Sequence, residues 1–246
     1  MIPLRDQNPG ISFPAITVAL IVMAVAIYFF VQVPQGDSAF IEYATIPCEF
    51  SGGGPVSLHE LNTGVCDTHQ EPGLFDNKAV LLSLISSIFL HGGFAHLLGN
   101  IWSLWIFGNN VEDAFGRLRY VGFYLAGGVV AGVAHIVINP GSTIPIVGAS
   151  GAIAAVMGAY IVLFPRARIT TWAVLVPLAV PAWVFLSIWF GSQFWIADSS
   201  PDVAWEAHVA GFVFGMFLAL VMRRKLIDRL ANQAFQFVRV GAQSNR

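Results

Sequence analysis

Residues 79–111 read AVLLSLISSIFLHGGFAHLLGNIWSLWIFGNNV, a run of 33 residues without a formal charge. A helix of about 20 apolar residues crosses the bilayer core, so this run is too long for one span and too short for two spans joined by a loop. Gly92 and Gly93 interrupt it near the middle. The run therefore predicts an interfacial or re-entrant piece near 80–91 and a membrane span near 94–111.

Outside this run, five apolar stretches are each long enough for one span. These stretches are residues 15–33, 118–138, 146–164, 170–192 and 205–222. The composition agrees with them, because 56% of the chain is hydrophobic and 11% is charged, whereas average soluble proteins are about 25% charged. The simplest count is six spans, and the sequence predicts an all-α membrane protein.

The basic residues indicate how the spans are oriented. If the N-terminus is cytoplasmic, eleven of the twelve Lys and Arg residues lie on the cytoplasmic side and only Lys78 lies outside. Cytoplasmic loops carry the excess of basic residues, so both termini are predicted to be cytoplasmic. The predicted parts are a cytoplasmic N-terminal segment at residues 1–14, a membrane domain at 15–222 and a cytoplasmic basic tail at 223–246. The membrane domain includes an external loop at residues 34–78.

Both cysteines, Cys48 and Cys66, lie in the external loop. An oxidising compartment outside the membrane favours a disulfide between them, worth roughly 3 kcal/mol of stability. A zinc site is an alternative, because His59 and His69 share the loop and the last cysteine and His69 have C-x-x-H spacing. Free thiols are a third alternative. We favour the disulfide and predict neither a metal nor a cofactor.

Four polar residues inside the predicted spans are candidates for function, because polar side chains are costly in the membrane. They are His96, Asn100, Ser150 and His208. At a rise of about 1.5 Å per residue, all four fall within about 9 Å of the outer ends of their helices. The i, i+4 spacing places His96 and Asn100 on one helical face. One such residue is more typical of helix packing, but four at one depth indicate a functional cluster.

These residues belong to an ordered set of motifs. The pattern H-x4-H-x3-N occurs at residues 91–100, E-x-x-x-G at 112–116, G-x-S-G at 148–151 and A-H-x-x-G-x-x-x-G at 207–215. The order of the motifs and the helices that carry them resemble the rhomboid family of intramembrane serine proteases over roughly residues 79–222.

The resemblance implies a six-helix rhomboid bundle in which Ser150 attacks the scissile carbonyl and His208 removes its proton by a Ser–His dyad mechanism. It also implies that the Ser150 N–H, Asn100 and His96 stabilise the tetrahedral oxyanion. The supporting positions that it implies are His91, Gly151, Gly211 and Gly215, of which the last two allow close packing around His208.

The chain departs from the family pattern at Ala154, four positions after the serine, where well-studied members often carry an aromatic residue that packs on the catalytic histidine. His208 must therefore be positioned by another residue, and Trp205 and Phe212 are the candidates. No acidic residue matches a third catalytic position, and Glu206 is interpreted as an interfacial charge.

The fifth predicted span has two unusual features. Pro177 and Pro181 remove backbone donors and are expected to kink it. Aromatic residues crowd its outer half, namely Trp183, Trp189, Phe190, Phe194 and Trp195. One interpretation is an aromatic belt at the membrane interface. The resemblance implies another, a lateral gate between the second and fifth spans, with Trp105 on the facing helix.

Three functions compete for this pattern. The leading hypothesis is a protease in a bacterial plasma membrane that cleaves transmembrane segments of membrane proteins near their outer end, taking its substrates from the lipid bilayer. A catalytically inert relative that binds membrane helices is disfavoured because both reacting residues are present. A transporter or channel is disfavoured because no inverted repeat is visible and no acidic residue lies deep in a span. The basic residues form no stripe with interleaved aromatics, which argues against nucleic-acid binding.

Overall fold

The computed structural model describes residues 2–67, 71–173, 176–199 and 203–244. The described chain is mostly helical. In chain order its elements are β1 (Ile2–Asp6), α1 (Ala15–Ile27), a π-helical turn (Tyr28–Gln32), α2 (Val33–Gln35), α3 (Asp37–Tyr43), α4 (Pro47–Gly52), α5 (Leu58–Thr63), α6 (Val80–Ser86), a 3₁₀ turn (Ser87–Phe89), α7 (Phe94–Phe115), α8 (Arg117–Ile138), α9 (Ser150–Leu163), β2 (Arg168–Ala173), β3 (Val176–Pro181), α10 (Ala182–Ser199) and α11 (Trp205–Ser244).

Within the described ranges, three helical segments are long and apolar enough to cross a membrane. They are Ala15–Gln35, Arg117–Ile138 and Trp205–Phe237. A fourth candidate is the bent pair Val80–Phe89 and Phe94–Phe115, whose two parts meet at 79°. This bend confirms the predicted break at the two glycines. Helices α9 and α10 are shorter apolar helices, so the count of six spans stays a prediction.

The described chain is mostly helical, in agreement with the predicted helical membrane protein, but it is not all-α, because the apolar stretch 170–192 begins as a sheet. Antiparallel pairing joins β1 to β2 and β2 to β3, so that β3 is an edge strand. Pro177 and Pro181 lie in this edge strand, where a missing N–H is tolerated, and they do not kink a helix. Strand β2 is rich in β-branched and aromatic residues, which favour strands over helices.

The sheet also determines where the fifth predicted helix begins. Helix α10 starts at Ala182, directly after β3, so its aromatic residues are distributed along the whole helix. Trp183, predicted to lie in the outer half, is the second residue of α10 and lies beside the sheet. The last helix also differs from expectation, because α11 runs on through Arg223 to Ser244 and does not end where the basic tail was predicted to begin.

Loops from distant parts of the sequence meet at two opposite ends of the helices. At the sheet end, β1 brings the N-terminal segment against the connection between α9 and α10. At the loop end, residues 34–78 meet the connection between α8 and α9: the Cys48 N–H donates to the Ser142 carbonyl at 2.9 Å, and Thr45 and Ile146 form a β-bridge. Ser150 begins α9 at this loop end.

The loop end is held by a disulfide between Cys48 and Cys66 and by a buried ion pair. The Lys78 ammonium lies 2.7 Å from a carboxylate oxygen of Glu49 and also donates to the carbonyl of Ala44 at 2.8 Å. Burial lowers the pKa of Lys78 and raises the pKa of Glu49, while their mutual contact acts in the opposite direction for both. These contacts tie residues 34–78 together beside the start of α6.

Glu112, the first residue of the E-x-x-x-G motif, caps the N-terminus of α1. Its carboxylate accepts from the N–H groups of Ile16 and Thr17, at 3.0 and 2.8 Å, and from the Thr17 hydroxyl at 2.9 Å. The first N–H groups of a helix have no partner within it, and a carboxylate there also complements the helix dipole. The motif therefore attaches the first helix to α7.

Helices α9 and α11 pack backbone against backbone. Every residue from Gly151 to Tyr160 is buried. A Cβ on Gly211 would overlap the Gly151 carbonyl oxygen, and one on Gly215 would overlap the Ala155 carbonyl oxygen. This approach leaves no room for side chains at the crossing, and it sets the distance between the helices that carry Ser150 and His208.

Candidate active site

Ser150 and His208 meet at the loop end of the α9–α11 crossing. Ser150 is the first residue of α9, and His208 lies in the first turns of α11. The Ser150 Oγ is 2.9 Å from the His208 Nε2, a hydrogen-bonding distance. A serine hydroxyl in contact with an imidazole nitrogen is the pairing that activates a serine nucleophile.

The other ring nitrogen of His208 contacts Gln193, a residue of α10 that the sequence analysis did not single out. The distance between His208 Nδ1 and Gln193 Oε1 is 2.7 Å. An amide oxygen only accepts hydrogen bonds, so Nδ1 carries the proton and Nε2 is free to accept from the serine hydroxyl. Gln193 could have been noticed as an uncharged polar residue in an apolar aromatic run.

Trp189 is the aromatic neighbour of His208. Its ring centroid lies 6.2 Å from that of His208 and 5.9 Å from that of Phe212. Of the two candidates named for positioning His208, Trp205 packs against Phe194 at 5.8 Å. Phe212 is in the same aromatic group and supports Trp189.

The structure also explains the small residue at position 154. Ala154 is fully buried, and its Cβ lies 3.4 Å from the position that a Cβ on Gly211 would occupy. Ala154 therefore lies at the close α9–α11 crossing. In the described chain the aromatic contact to His208 comes from Trp189 of α10.

Asn100 and His96 lie beside the turn that precedes Ser150. Gly148, in the left-handed region with φ of 122°, has a hypothetical Cβ 2.8 Å from His96 Nε2 and 3.6 Å from Asn100 Nδ2. Asn100 is 8% exposed, and its Nδ2 has no hydrogen-bond partner among the described residues. Buried donors are normally hydrogen-bonded, so this N–H group is available to a group that enters the cavity.

His96 offers a second donor at the same place. Its Nδ1 accepts from the Gly92 N–H at 3.2 Å, so in the neutral ring the proton lies on Nε2. Nε2 is the atom near Gly148. Together with the N–H of Ser150, which begins a helix and has no partner within it, the two side chains surround one region with donors.

His91, predicted as a supporting residue, lies beneath His96. It is fully buried, its ring packs edge-on against that of His96 at 5.4 Å, and its ring nitrogens have no partner within the described parts of the chain. Gln32 holds its backbone, because the amide donates to the His91 carbonyl and accepts from the His91 N–H at 2.8 Å. Gln32 was not predicted from the sequence as a partner of His91.

The interpretation of Glu206 as an interfacial charge was wrong. It is 8% exposed, it accepts a hydrogen bond from the Asn139 side chain, and one of its oxygens lies 3.4 Å from His135 Nδ1. These contacts join the end of α8 to the first turn of α11. Glu206 is thus held by residues at the end of α8, two positions before His208 on α11.

A cavity of about 1160 Å³ contains the candidate residues. Ser150, His208, His96 and Asn100 all line it. Residues from the loop end, such as Ile146, line it as well. The cavity is large enough for several water molecules and for a segment of a peptide chain.

The cysteines and histidines of the external loop do not come together as a Cys/His site in the part of the chain that the structure describes. The sulfurs of Cys48 and Cys66 are bonded to each other, and a disulfide sulfur is not the thiolate that binds zinc. Glu60 lies near both sulfurs. His69, the nearest histidine in the proposed zinc spacing, falls outside the described residues.

Comparison with known proteins gives a consistent result. The family model described as the Rhomboid domain matches residues 78–225, more than half of the chain. RHOMBOID-like protein 5 of Arabidopsis thaliana is 32% identical over 146 residues, covering 56% of this chain and 43% of that protein. Rhomboid protease GluP of Bacillus subtilis is 31% identical over 141 residues, covering 56% of this chain and 25% of that protein. Rhomboid-related protein 3 of Homo sapiens is 27% identical over 169 residues, covering 65% of this chain and 41% of that protein. The chain thus spans less than half the length of each of these relatives.

Proposed function

The chain belongs to the rhomboid family, and on that premise we propose that it is an intramembrane serine endopeptidase with Ser150 and His208 as its catalytic dyad. The observation that carries the proposal is the 2.9 Å contact between the Ser150 Oγ and the His208 Nε2, beside an unpaired donor on Asn100. A catalytically inert relative has no need for a serine and a histidine in this contact.

The proposed reaction begins when His208 Nε2 takes the hydroxyl proton and Ser150 Oγ bonds to the scissile carbonyl carbon. The carbonyl electrons move to the oxygen, which becomes an oxyanion. The protonated His208 then gives its proton to the leaving amine, the C–N bond breaks and an acyl-enzyme forms. Water attacks the acyl-enzyme by the same sequence, with His208 again as the base.

The oxyanion would be stabilised by three donors: the Asn100 amide, the His96 Nε2–H and the Ser150 N–H. Each donor of this kind is worth about 10²–10³-fold in turnover. All three donors are present in the resting protein. Among the described residues, no acceptor competes with the oxyanion for the Asn100 Nδ2. Gly151, Gly211 and Gly215 support the site by allowing the α9–α11 approach.

We further propose six spans with both termini in the cytoplasm. On this assignment residues 1–14 are a cytoplasmic segment, residues 15–222 the membrane domain, residues 34–78 an external loop and residues 223–246 a cytoplasmic tail. The support is that the N-terminal segment and the α9–α10 connection share the sheet end, as alternating spans require. The dyad then lies near the external face, since it is at the loop end.

The substrates that we propose are transmembrane segments of membrane proteins, reaching Ser150 from the bilayer of a plasma membrane between α7 and α10. The sheet ties these two helices at its own end: the Trp102 indole donates to the Pro3 carbonyl at 2.5 Å, and β3 continues into α10 at Ala182. An opening between α7 and α10 would therefore be confined to the half nearer the loop end.

The test is a serine-reactive probe applied to the protein in detergent. A fluorophosphonate should label the wild type, and Ser150→Ala and His208→Ala should each abolish both labelling and cleavage of a model transmembrane substrate. Both variants should keep the thermal unfolding temperature of the wild type, because neither change adds volume to the helix crossing. Labelling that persists in Ser150→Ala would remove this serine from the role of nucleophile.

A further inference from the structure

We propose that Gln193 of α10 is the positioning residue of the dyad: its amide oxygen fixes the His208 ring and keeps the proton-accepting nitrogen directed at Ser150. The inference rests on the proposed function and adds a residue that the family motifs do not contain. It also makes α10 a part of the active site, in addition to α9 and α11.

The direction of the Gln193 amide is determined by its own contacts. Its Nε2 donates to the Trp189 carbonyl at 3.1 Å, one helical turn earlier, which turns Oε1 towards His208 Nδ1. Gln193 is 2% exposed, so water does not compete for this oxygen. A buried amide with one end satisfied by its own helix holds the other end in one orientation.

No other described residue takes this role. The nearest acid along α11, Glu206, makes its hydrogen bond with Asn139 and its close contact with His135, and not with the His208 ring. Residue 154 is alanine and supplies no ring. Within the described ranges, the hydrogen-bond partners of the His208 ring are Ser150 and Gln193.

A glutamine suits this environment better than an acid does. A carboxylate would stabilise the imidazolium more strongly, but it would be an additional charge in a largely buried place and would require a permanent partner. A neutral amide selects the tautomer through one hydrogen bond and carries no charge. Among the described residues, the dyad therefore receives orientation without a charged third member.

The contact between Gln193 and His208 also makes catalysis depend on the position of α10 against α11. Both supports of the His208 ring, the Gln193 oxygen and the Trp189 ring, come from α10, while the backbone of His208 belongs to α11. If α10 moves to admit a substrate, the ring loses both supports at once. Cleavage would then require α10 to return to α11 after the substrate has entered the cavity.

The experiment compares Gln193→Leu, Gln193→Glu and Gln193→Asn with the wild type in proteoliposomes. Ser187→Leu is the control, because it places the same apolar residue at an exposed position of the same helix. Turnover and KM for a model transmembrane substrate are measured, together with the rate of fluorophosphonate labelling and the thermal unfolding temperature.

We expect Gln193→Leu to lower kcat and the labelling rate by about 10²-fold with KM unchanged. This loss is smaller than the roughly 10⁴-fold loss seen when the aspartate of a serine-protease triad is replaced by asparagine, which holds the histidine in the wrong tautomer. Gln193→Glu keeps an acceptor at the same reach, but it buries a charge and loses the donor to the Trp189 carbonyl, so its kcat should lie between those of the wild type and Gln193→Leu. Gln193→Asn withdraws the oxygen by one methylene and should resemble Gln193→Leu. Ser187→Leu should behave as the wild type.

The inference is overturned if Gln193→Leu keeps wild-type kcat, or if all three variants lose activity in proportion to their loss of folded protein. If Gln193→Leu does not fold, the comparison of Gln193→Glu with Gln193→Asn decides, and equal kcat in those two rejects the positioning role. Failure of the proposed function has a different signature, because the wild type itself would then neither cleave nor be labelled.

Discussion

Helix α11 meets α9 and α10 in two different ways. Against α9 the contact is backbone to backbone, at Gly211 and Gly215, and an added methyl group would overlap a carbonyl oxygen of α9. Against α10 the contact is made by side chains, namely a hydrogen bond that the Gln193 amide oxygen accepts from His208 and ring contacts of Trp189 and Phe190. The first contact fixes the distance between two backbones, whereas the second depends on a few side chains.

This difference assigns separate tasks to the two contacts. The α9 contact places the main chains of Ser150 and His208, and it cannot vary because packed cores tolerate little change in volume. The α10 contact orients only the imidazole ring, and a single hydrogen bond contributes about 1 kcal/mol. If a substrate enters between α7 and α10 as proposed, it would displace the second contact without disturbing the first.

The largest effect is expected where the rigid contact is broken. Gly215→Ala places a methyl group on the Ala155 carbonyl, and overpacking of this kind costs about 3 kcal/mol or more when backbone atoms must move. We expect loss of both the folded state and the activity, measured as a lower thermal unfolding temperature and a loss of fluorophosphonate labelling.

Gly122→Ala is the matched control for Gly215→Ala. It makes the same chemical change in α8, at a glycine with no atom within 4 Å of the added Cβ. Its unfolding temperature should not fall, since alanine is the better helix former by about 1 kcal/mol. Equal behaviour of the two variants would show that the α9–α11 contact is less tight than its geometry indicates.

A smaller effect is expected at a residue that belongs to neither contact. Asn100→Ala removes the proposed oxyanion donor on α7, and we expect kcat to fall by about 10²-fold with little change in KM. The fall should be the same for a transmembrane substrate and for a small soluble ester, because both develop the same oxyanion. An unchanged kcat would reduce Asn100 to a structural residue.

The sequence predicted the rigid contact well and the side-chain contact poorly. Glycines at 211 and 215 are visible as a motif, and the break at Gly92 and Gly93 follows from the length of an uncharged run. Gln193 could not be assigned, because its partner lies on another helix and the direction of α10 depends on where that helix begins.

The sheet was missed for a related reason. Hydropathy alone does not distinguish an apolar helix from apolar strands, and Pro177 and Pro181 were taken as kinks although they are equally typical of an edge strand. Glu206 was misjudged because its burial depends on the adjacency of α8 and α11, which no local pattern reveals. Glycine motifs can predict a close backbone crossing, but side-chain contacts between helices depend on how the helices are placed, which no local pattern gives.

The side-chain contact should show a moderate effect when one ring is removed. Trp189→Ala takes away the aromatic neighbour of His208 and leaves Gln193 in place. We expect the cleavage of a transmembrane substrate and the labelling by a fluorophosphonate to fall together, by about tenfold, the order expected for the loss of one of two supports of a catalytic base. A fall in cleavage without a fall in labelling would place Trp189 on the substrate path and not at the dyad.

The smallest effect should have the opposite sign and concerns two tryptophans that do not touch His208. Trp105 of α7 and Trp183 of α10 are each 54% exposed. Trp105 follows Trp102 by three residues on the same helical face, and Trp102 bonds β1, while Trp183 follows the end of β3. The two residues therefore lie on the two helices that the sheet joins. Trp105→Ala combined with Trp183→Ala should ease the separation of these helices and accelerate cleavage of a membrane-embedded substrate a few-fold, a change in activation free energy of about 1 kcal/mol. Labelling by a small soluble probe should stay at the wild-type rate, because the dyad and both supports of His208 are untouched. If both rates fall together in the same preparation, the two tryptophans stabilise the fold, and movement of α10 does not limit access to Ser150.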